Sequence, residues 1–184
     1  MPPTLSNPRD LFLQLLGELL WTERTLEFEV LPRLRNQAKS EGLVHALGEH
    51  LEETKEHAAR LEGVFRAVAA EPSSNFSPPM EKLAEHHDEL ASSFTDDRLA
   101  DVFHAGAAAA TEHLELAAYD TLLRLGGMLD LGDARDLLEL NRDEEARALE
   151  RVESELDRLV GALAAQRDAS ATARSSAGST GPAR

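Results

Sequence analysis

Carboxylates and histidines recur in this chain where apolar residues would otherwise complete a helix face. Glu23 stands in phase with Leu16, Leu19, Leu26 and Val30. His50, Glu53 and His57 share a stripe with Ala46, Leu61, Val64 and Val68. Glu112 and Glu115 fall in register with Ala108, Tyr119 and Leu122, and Glu145 lies between Leu138 and Val152. A carboxylate buried without a partner costs several kcal/mol, so inward acids need hydrogen bonds, counter-charges or a cation. Carboxylate oxygens combined with imidazole nitrogens suit iron or manganese, and two such cations go far toward cancelling five negative charges. The expected metal ligands are therefore Glu23, Glu53, His57, Glu112, Glu115 and Glu145. His50 reads as a packing or supporting histidine instead. In a chain with 34 acidic residues some fall on any stripe, so Glu145 alone reads first as a wetted helix edge. The whole set carries the argument. Glu52, Glu56 and Glu144 read as solvated faces, with Glu144 as the alternative ligand to Glu145.

Four long segments with apolar spacings of three and four must position these groups. They run from about Pro8 to Ala38, Gly42 to Ala70, Arg98 to Leu125 and Asp133 to Ala165. Pro32 should kink the first or force a local adjustment, because proline lacks a backbone donor. Asp133 is the expected N-cap of the last. Short turns join the first pair, near Lys39 to Gly42, and the second pair, Gly126 to Gly132. A long crossover, Glu71 to Asp97, joins the pairs and holds a shorter helix in MEKLAEHHDELASSF. The expected fold is therefore all-α: a four-helix bundle of two antiparallel hairpins. Counting from residues 40 and 130 at 1.5 Å per residue, all six expected ligands lie roughly 20–27 Å from their own turn. Each hairpin thus brings its acids to one level near its middle. Residues 1–7 read as an extension, 8–165 as the bundle, and 166–184 as a disordered tail without bulky apolar residues.

Composition narrows the function classes. The net charge is −15, from 34 acidic and 19 basic residues, which argues against nucleic acid and anionic membranes as partners. No apolar run approaches the roughly 20 residues of a membrane-crossing helix. With no cysteine, thiolate metal sites and cysteine nucleophiles are excluded, and a cytoplasmic location is expected. No motif of serine hydrolases, P-loop or Rossmann proteins is present.

The stretches DLFLQLLGELLWTERTL, HLEETKEHAARLEGVF, PPMEKLAEHHDEL, TEHLELAAYDTL and DLLELNRDEEARALE resemble the YciE/YciF-like family of bacterial ferritin-like stress proteins. The resemblance spans about residues 8 to 160. It implies a bundle related to ferritin and rubrerythrin with a carboxylate-bridged di-metal site. The ferritin-like template carries one Glu on each of two helices and Glu-x-x-His on the other two. This chain departs from it: Thr54 stands where the Glu before His57 belongs, and no histidine follows Glu145. Glu112-x-x-Glu115 is similar to the rubrerythrin arrangement, and the family's acidic residue near Leu149 is absent. On this resemblance Glu53 with Glu115 or Glu145 is expected to bridge the metals. The implied function is a di-iron or di-manganese centre with ferroxidase- or peroxidase-like reactivity, whose partners are metal ions and oxygen or peroxide, in a bundle able to pair as a homodimer. The alternative is a non-catalytic bundle with a degenerate or structural metal site.

Overall fold

The computed structural model describes residues 4–177, and among these there is no strand. Helix α1 spans Pro8–Thr25, continues through a π-helical stretch at Leu26–Val30, and re-forms as α2 at Leu31–Gln37. Helices α3 (Glu41–Ala67), α4 (Pro78–Ala91), α5 (Asp97–Met128) and α6 (Asp133–Ala177) follow. The π-helical stretch is the adjustment that Pro32 demands. Proline removes a donor and crowds the carbonyl four residues before it. The Leu31 N–H instead reaches back five residues to the Leu26 carbonyl, which widens the turn ahead of the ring.

Helix starts follow local chemistry. Asn7 caps α1, its side chain accepting the Asp10 N–H at 3.0 Å, with Pro8 just inside. Asp96 caps α5 by accepting the Arg98 N–H at 3.0 Å. Asp133, expected as a cap, is instead the first helical residue of α6. Helix α3 has no cap from its own side chains. Asp101 on α5, 3% exposed, supplies one from a distance, accepting the Lys39 N–H at 2.9 Å and the Ser40 N–H at 2.7 Å. This ties the first hairpin turn to the second hairpin.

Helix α1 packs on α3 and α5, and α6 packs on α3 and α5, giving the expected bundle of two hairpins. Helix α4 lies against α5 within the crossover. The crossover rests closely on α1 at Gly17, whose carbonyl accepts the Asn75 N–H at 2.9 Å. A Cβ there would meet the Ser73 carbonyl oxygen at 2.9 Å, so the position needs glycine. The last helix runs beyond Ala165 to Ala177, so the expected disordered tail is corrected over residues 166–177, where an Ala- and Arg-containing stretch sustains the helix. Residues 178–184 of that tail lie outside the described residues. No helix among those described is long and apolar enough to cross a membrane.

The core is divided. One apolar layer gathers Leu26, Val30 and Leu34 with Leu43, Leu47, Ala105, Ala108 and Val152. The other gathers Phe12, Leu16 and Leu20 with Leu61, Val64, Phe65, Leu122 and Leu138. Between them each long helix contributes buried polar residues: Glu23, His50 with Thr54 and His57, Glu112 with Glu115, and Asn141 with Glu145. Because neighbouring helices in a hairpin run in opposite directions, each enters one layer, crosses this belt and leaves through the other.

Asp101→Ala should cost about 2–3 kcal/mol, since it strips hydrogen bonds to a charged acceptor from two backbone donors. Urea unfolding measures this. An unchanged midpoint would show that the distant cap contributes nothing.

Candidate metal centre

The polar belt converges into two groups of ligand atoms. His50, Glu112, Glu115 and Glu145 form one, and Glu23, His57 and Glu145 form the other. Within each, one potential ligand atom per residue lies within 4.8 Å of all the others. Glu145 belongs to both. Of the expected ligands the structure therefore brings together Glu23, His57, Glu112, Glu115 and Glu145, and adds His50.

Glu53 stands apart. It is 28% exposed, and its Oε2 pairs with the Arg151 guanidinium at the rim. Its carboxylate comes no nearer the cluster than a 3.7 Å approach to His50 Nδ1. The reason is helical phase. At 100° per residue, 50, 54 and 57 lie within about 60° of one another, whereas 53 lies some 60° from 50 on the edge of that arc. Thr54, fully buried, takes the inward position and spends its hydroxyl on the His50 carbonyl at 2.8 Å. Ala148, 1% exposed, is likewise inward without a ligand atom. His50 is more central than its expected supporting role: its Nε2 lies 3.0 Å from Glu112 Oε1 and 3.8 Å from Glu145 Oε2.

The two residues at the start of the α6 acidic pair have distinct tasks. Glu145 is fully buried, its Oε1 at 2.7 Å from His57 Nδ1. Glu144 faces the other side of that imidazole, its Oε2 at 3.0 Å from His57 Nε2 and 2.5 Å from the Arg60 guanidinium. A proton held on Nε2 by Glu144 leaves the Nδ1 lone pair facing Glu23 and Glu145, the usual way an outer carboxylate orients a metal-binding histidine. A second support line runs from Arg60 to Asn141 Oδ1 at 2.8 Å. Asn141 in turn donates to the Tyr119 hydroxyl at 2.9 Å and to the His57 carbonyl at 3.2 Å. The Tyr119 hydroxyl donates to Glu23 Oε1. Asn141, Arg60 and the polar role of Tyr119 are absent from the sequence reading. Asn141 alone left a signal, as a polar residue one turn before Glu145 on the same stripe.

Burial sets the electrostatics. It pushes the carboxyls of Glu23, Glu115 and Glu145 above the usual range, and neighbouring carboxylates add to the effect on each. Burial opposes charge on His57, but Glu145 and Glu23 raise it to about 10. His50 is likewise raised well above its ordinary value against burial, chiefly by Glu112. Even so, the cluster is not a satisfied hydrogen-bond network. Both oxygens of Glu115, both of Glu145, Glu23 Oε2, Glu112 Oε2, His57 Nδ1 and both His50 nitrogens are buried without a hydrogen-bond partner. His57 Nδ1 and Glu145 Oε1 are among them, although they approach to 2.7 Å and each shifts the other's ionisation. Buried polar atoms in native proteins are almost always paired. Carboxylate and imidazole atoms that converge with so many left unpaired fit a cation, which would displace the protons held by His50 and His57.

Comparison with known proteins agrees with this architecture. A family described as a domain of unknown function, DUF892, matches residues 7–165. Protein YciF of Escherichia coli strain K12 is 31% identical over 140 residues, covering 74% of this chain and 82% of that protein. The crystal structure of the E. coli stress protein YciF superposes with a TM-score of 0.81 at 26% identity, covering 85% of this chain and 99% of that one. YcfI of Rhodopseudomonas palustris, named as a candidate structural protein, gives a TM-score of 0.80 at 29% identity, covering 83% of this chain and 97% of its own.

Carboxyls raised on folding stabilise the fold below the unfolded value of 4.5 and lose that contribution as pH rises through their folded values. The metal-free protein should therefore lose melting temperature as pH rises above 4.5, until these carboxyls have ionised. Glu115→Gln, which cannot ionise, should flatten that fall, melting close to wild type at pH 5 and progressively higher than it as pH rises. A variant whose melting falls with pH as steeply as wild type would mean that Glu115 does not contribute to the loss.

Proposed function

The chain belongs to the DUF892 family of YciF-like proteins, and we propose that its buried cluster is a di-metal centre, holding two iron or manganese ions in a ferritin-like stress-response protein. The observation that carries this reading is the set of buried, partnerless ligand atoms aimed at common centres. Charge supports it. The four cluster carboxylates Glu23, Glu112, Glu115 and Glu145 match two divalent cations, with both histidines neutral. Donor type supports it too, since hard oxygens with imidazole suit these metals.

The residues divide the work. Glu145 serves both positions. His50, Glu112 and Glu115 complete the richer one, while Glu23 and His57 complete the poorer one. Tyr119 and Glu144 hold Glu23 and His57 in place, and Arg60 steadies the second of these. Two iron ions so held would supply electron transfer toward oxygen or peroxide, which makes a ferroxidase- or peroxidase-like activity the leading proposal. A cytoplasmic location and pairing with a second copy belong to the same proposal. Thr54 and Ala148 favour a second reading, a structural metal site in a non-catalytic bundle, because two inward positions of the ferritin-like template lack ligand atoms. Steady oxygen consumption with Fe(II) supports the first reading. Stoichiometric binding without turnover supports the second.

Anaerobic Fe(II) or Mn(II) should raise the melting temperature, because a ligand bound only to the folded state stabilises it by mass action. Calorimetric titration should resolve two unequal equivalents. Glu23→Gln should remove the weaker one, and Glu145→Gln should weaken both about tenfold or more, at least the loss seen when only a partner that orients a ligand is removed. Glu53→Ala should leave both in place. If Glu53→Ala abolished binding while Glu145→Gln did not, the cluster would not be the site.

A further inference from the structure

A recess of about 130 Å³ lies between α1, the start of α4 and α5. Exposed Pro79 and Thr121 stand at its mouth, and buried Leu19, Thr22 and Glu115 at its inner end. Glu115 therefore belongs both to this recess and to the richer ligand group. It is fully buried, so the recess stops at this residue and does not open into the cluster. Neither Glu115 oxygen has a hydrogen-bond partner, whereas Tyr119 holds Glu23 and Glu144 holds His57. No hydrogen bond has to break for this side chain to shift and join the two spaces.

The lining decides what would pass. Leu15, Leu19, Leu114 and Ala118 give it an apolar surface. The threonine hydroxyls on it are committed to their own helices: Thr22 donates to the Glu18 carbonyl at 3.0 Å, and Thr121 to the Ala117 carbonyl at 2.8 Å. The Glu18 carboxylate accepts from the Gln14 amide at 2.9 Å. A hydrated cation or hydrogen peroxide entering here gives up hydrogen bonds to water and regains few, which is unfavourable. Dioxygen has almost none to give up. Size agrees, since an apolar cavity of about 150 Å³ takes benzene or xenon, and this smaller recess suits a gas molecule better than a ring. We infer that the recess between α1, α4 and α5 is the route by which dioxygen reaches the buried cluster, with Glu115 as its inner door. The inference rests on the di-metal reading of the cluster and goes further by naming the side of entry and the oxidant.

Two probes make the test: xenon pressurised into metal-free crystals of the full chain, and nitric oxide added to the anaerobically Fe(II)-loaded protein. Nitric oxide is an uncharged diatomic gas that binds Fe(II), so its uptake, followed by absorbance, reports access without turnover. Xenon should occupy the recess beside Ala118. Ala118→Leu should displace it and slow nitric oxide uptake several-fold, while leaving the anaerobic Fe(II) titration as in wild type. Leu15→Trp, about two helical turns from Glu23, is a second obstruction with the same expectation. Leu15→Ala, which widens the recess, should speed uptake. An absence of xenon from the recess, or nitric oxide uptake indifferent to both obstructions, would overturn the inference. Obstructions that slow Fe(II) uptake instead would overturn it in favour of a cation route. Wild-type protein that binds no Fe(II) while xenon still fills the recess would overturn the di-metal reading, and the role of the recess with it.

Discussion

Four carboxylates held out of water at one level of a helical bundle form the constraint around which this protein is organised. Isolated ionised carboxylates are too costly to bury in apolar surroundings, so the belt must either be compensated or reshape the fold. Its depth suggests compensation by design of the sequence. Apolar layers close it from both ends, and outer partners fix two of its members in place. Glu144 and Arg60 brace His57, and Tyr119 with Asn141 braces Glu23. Such bracing goes only to the outer side of His57 and Glu23. The inward-facing atoms are left open, and it is that asymmetry, more than the number of acids, that distinguishes the cluster from an ordinary buried salt-bridge network.

The arrangement is also unequal. One group draws on three helices and four residues, whereas the other has three residues and shares Glu145 with the first. Thr54 and Ala148 occupy inward positions without providing ligands, and His50 enters from α3 where the ferritin-like template has no histidine. The chain thus keeps the bundle of its family, with its buried carboxylates and histidines placed differently from the ferritin-like template. A shared carboxylate couples the two positions electrostatically, so filling one changes the charge seen at the other. Reactivity toward an oxidant would depend on that coupling.

Much of this was legible in the sequence because helical phase and distance from a turn are both arithmetic. Apolar spacing placed Glu23, His57, Glu112, Glu115 and Glu145 inward, and equal distances from the turns placed them at one level. The arithmetic failed where neighbouring residues differ by a fraction of a turn. Glu53 and Thr54 both lie near the stripe, and choosing between them depends on Arg151, a partner on α6 nearly a hundred positions away that captures Glu53. His50 was undervalued because a histidine among apolar residues has no signature until the acids opposite it are known. Tyr119 read as packing, since its hydroxyl gains meaning only beside Glu23. The tail boundary at Ala165 rested on loss of apolar residues, but helix continuation needs only local backbone hydrogen bonds and adequate propensity.

Anomalous diffraction from crystals grown with Fe(II) under anaerobic conditions tests the central claim most directly, because it locates metal without reference to activity. The account predicts two peaks inside the bundle: a stronger one among His50, Glu112, Glu115 and Glu145, and a weaker one among Glu23, His57 and Glu145. A bundle with no internal peak, or with metal only at the Glu53 and Arg151 rim, would contradict it.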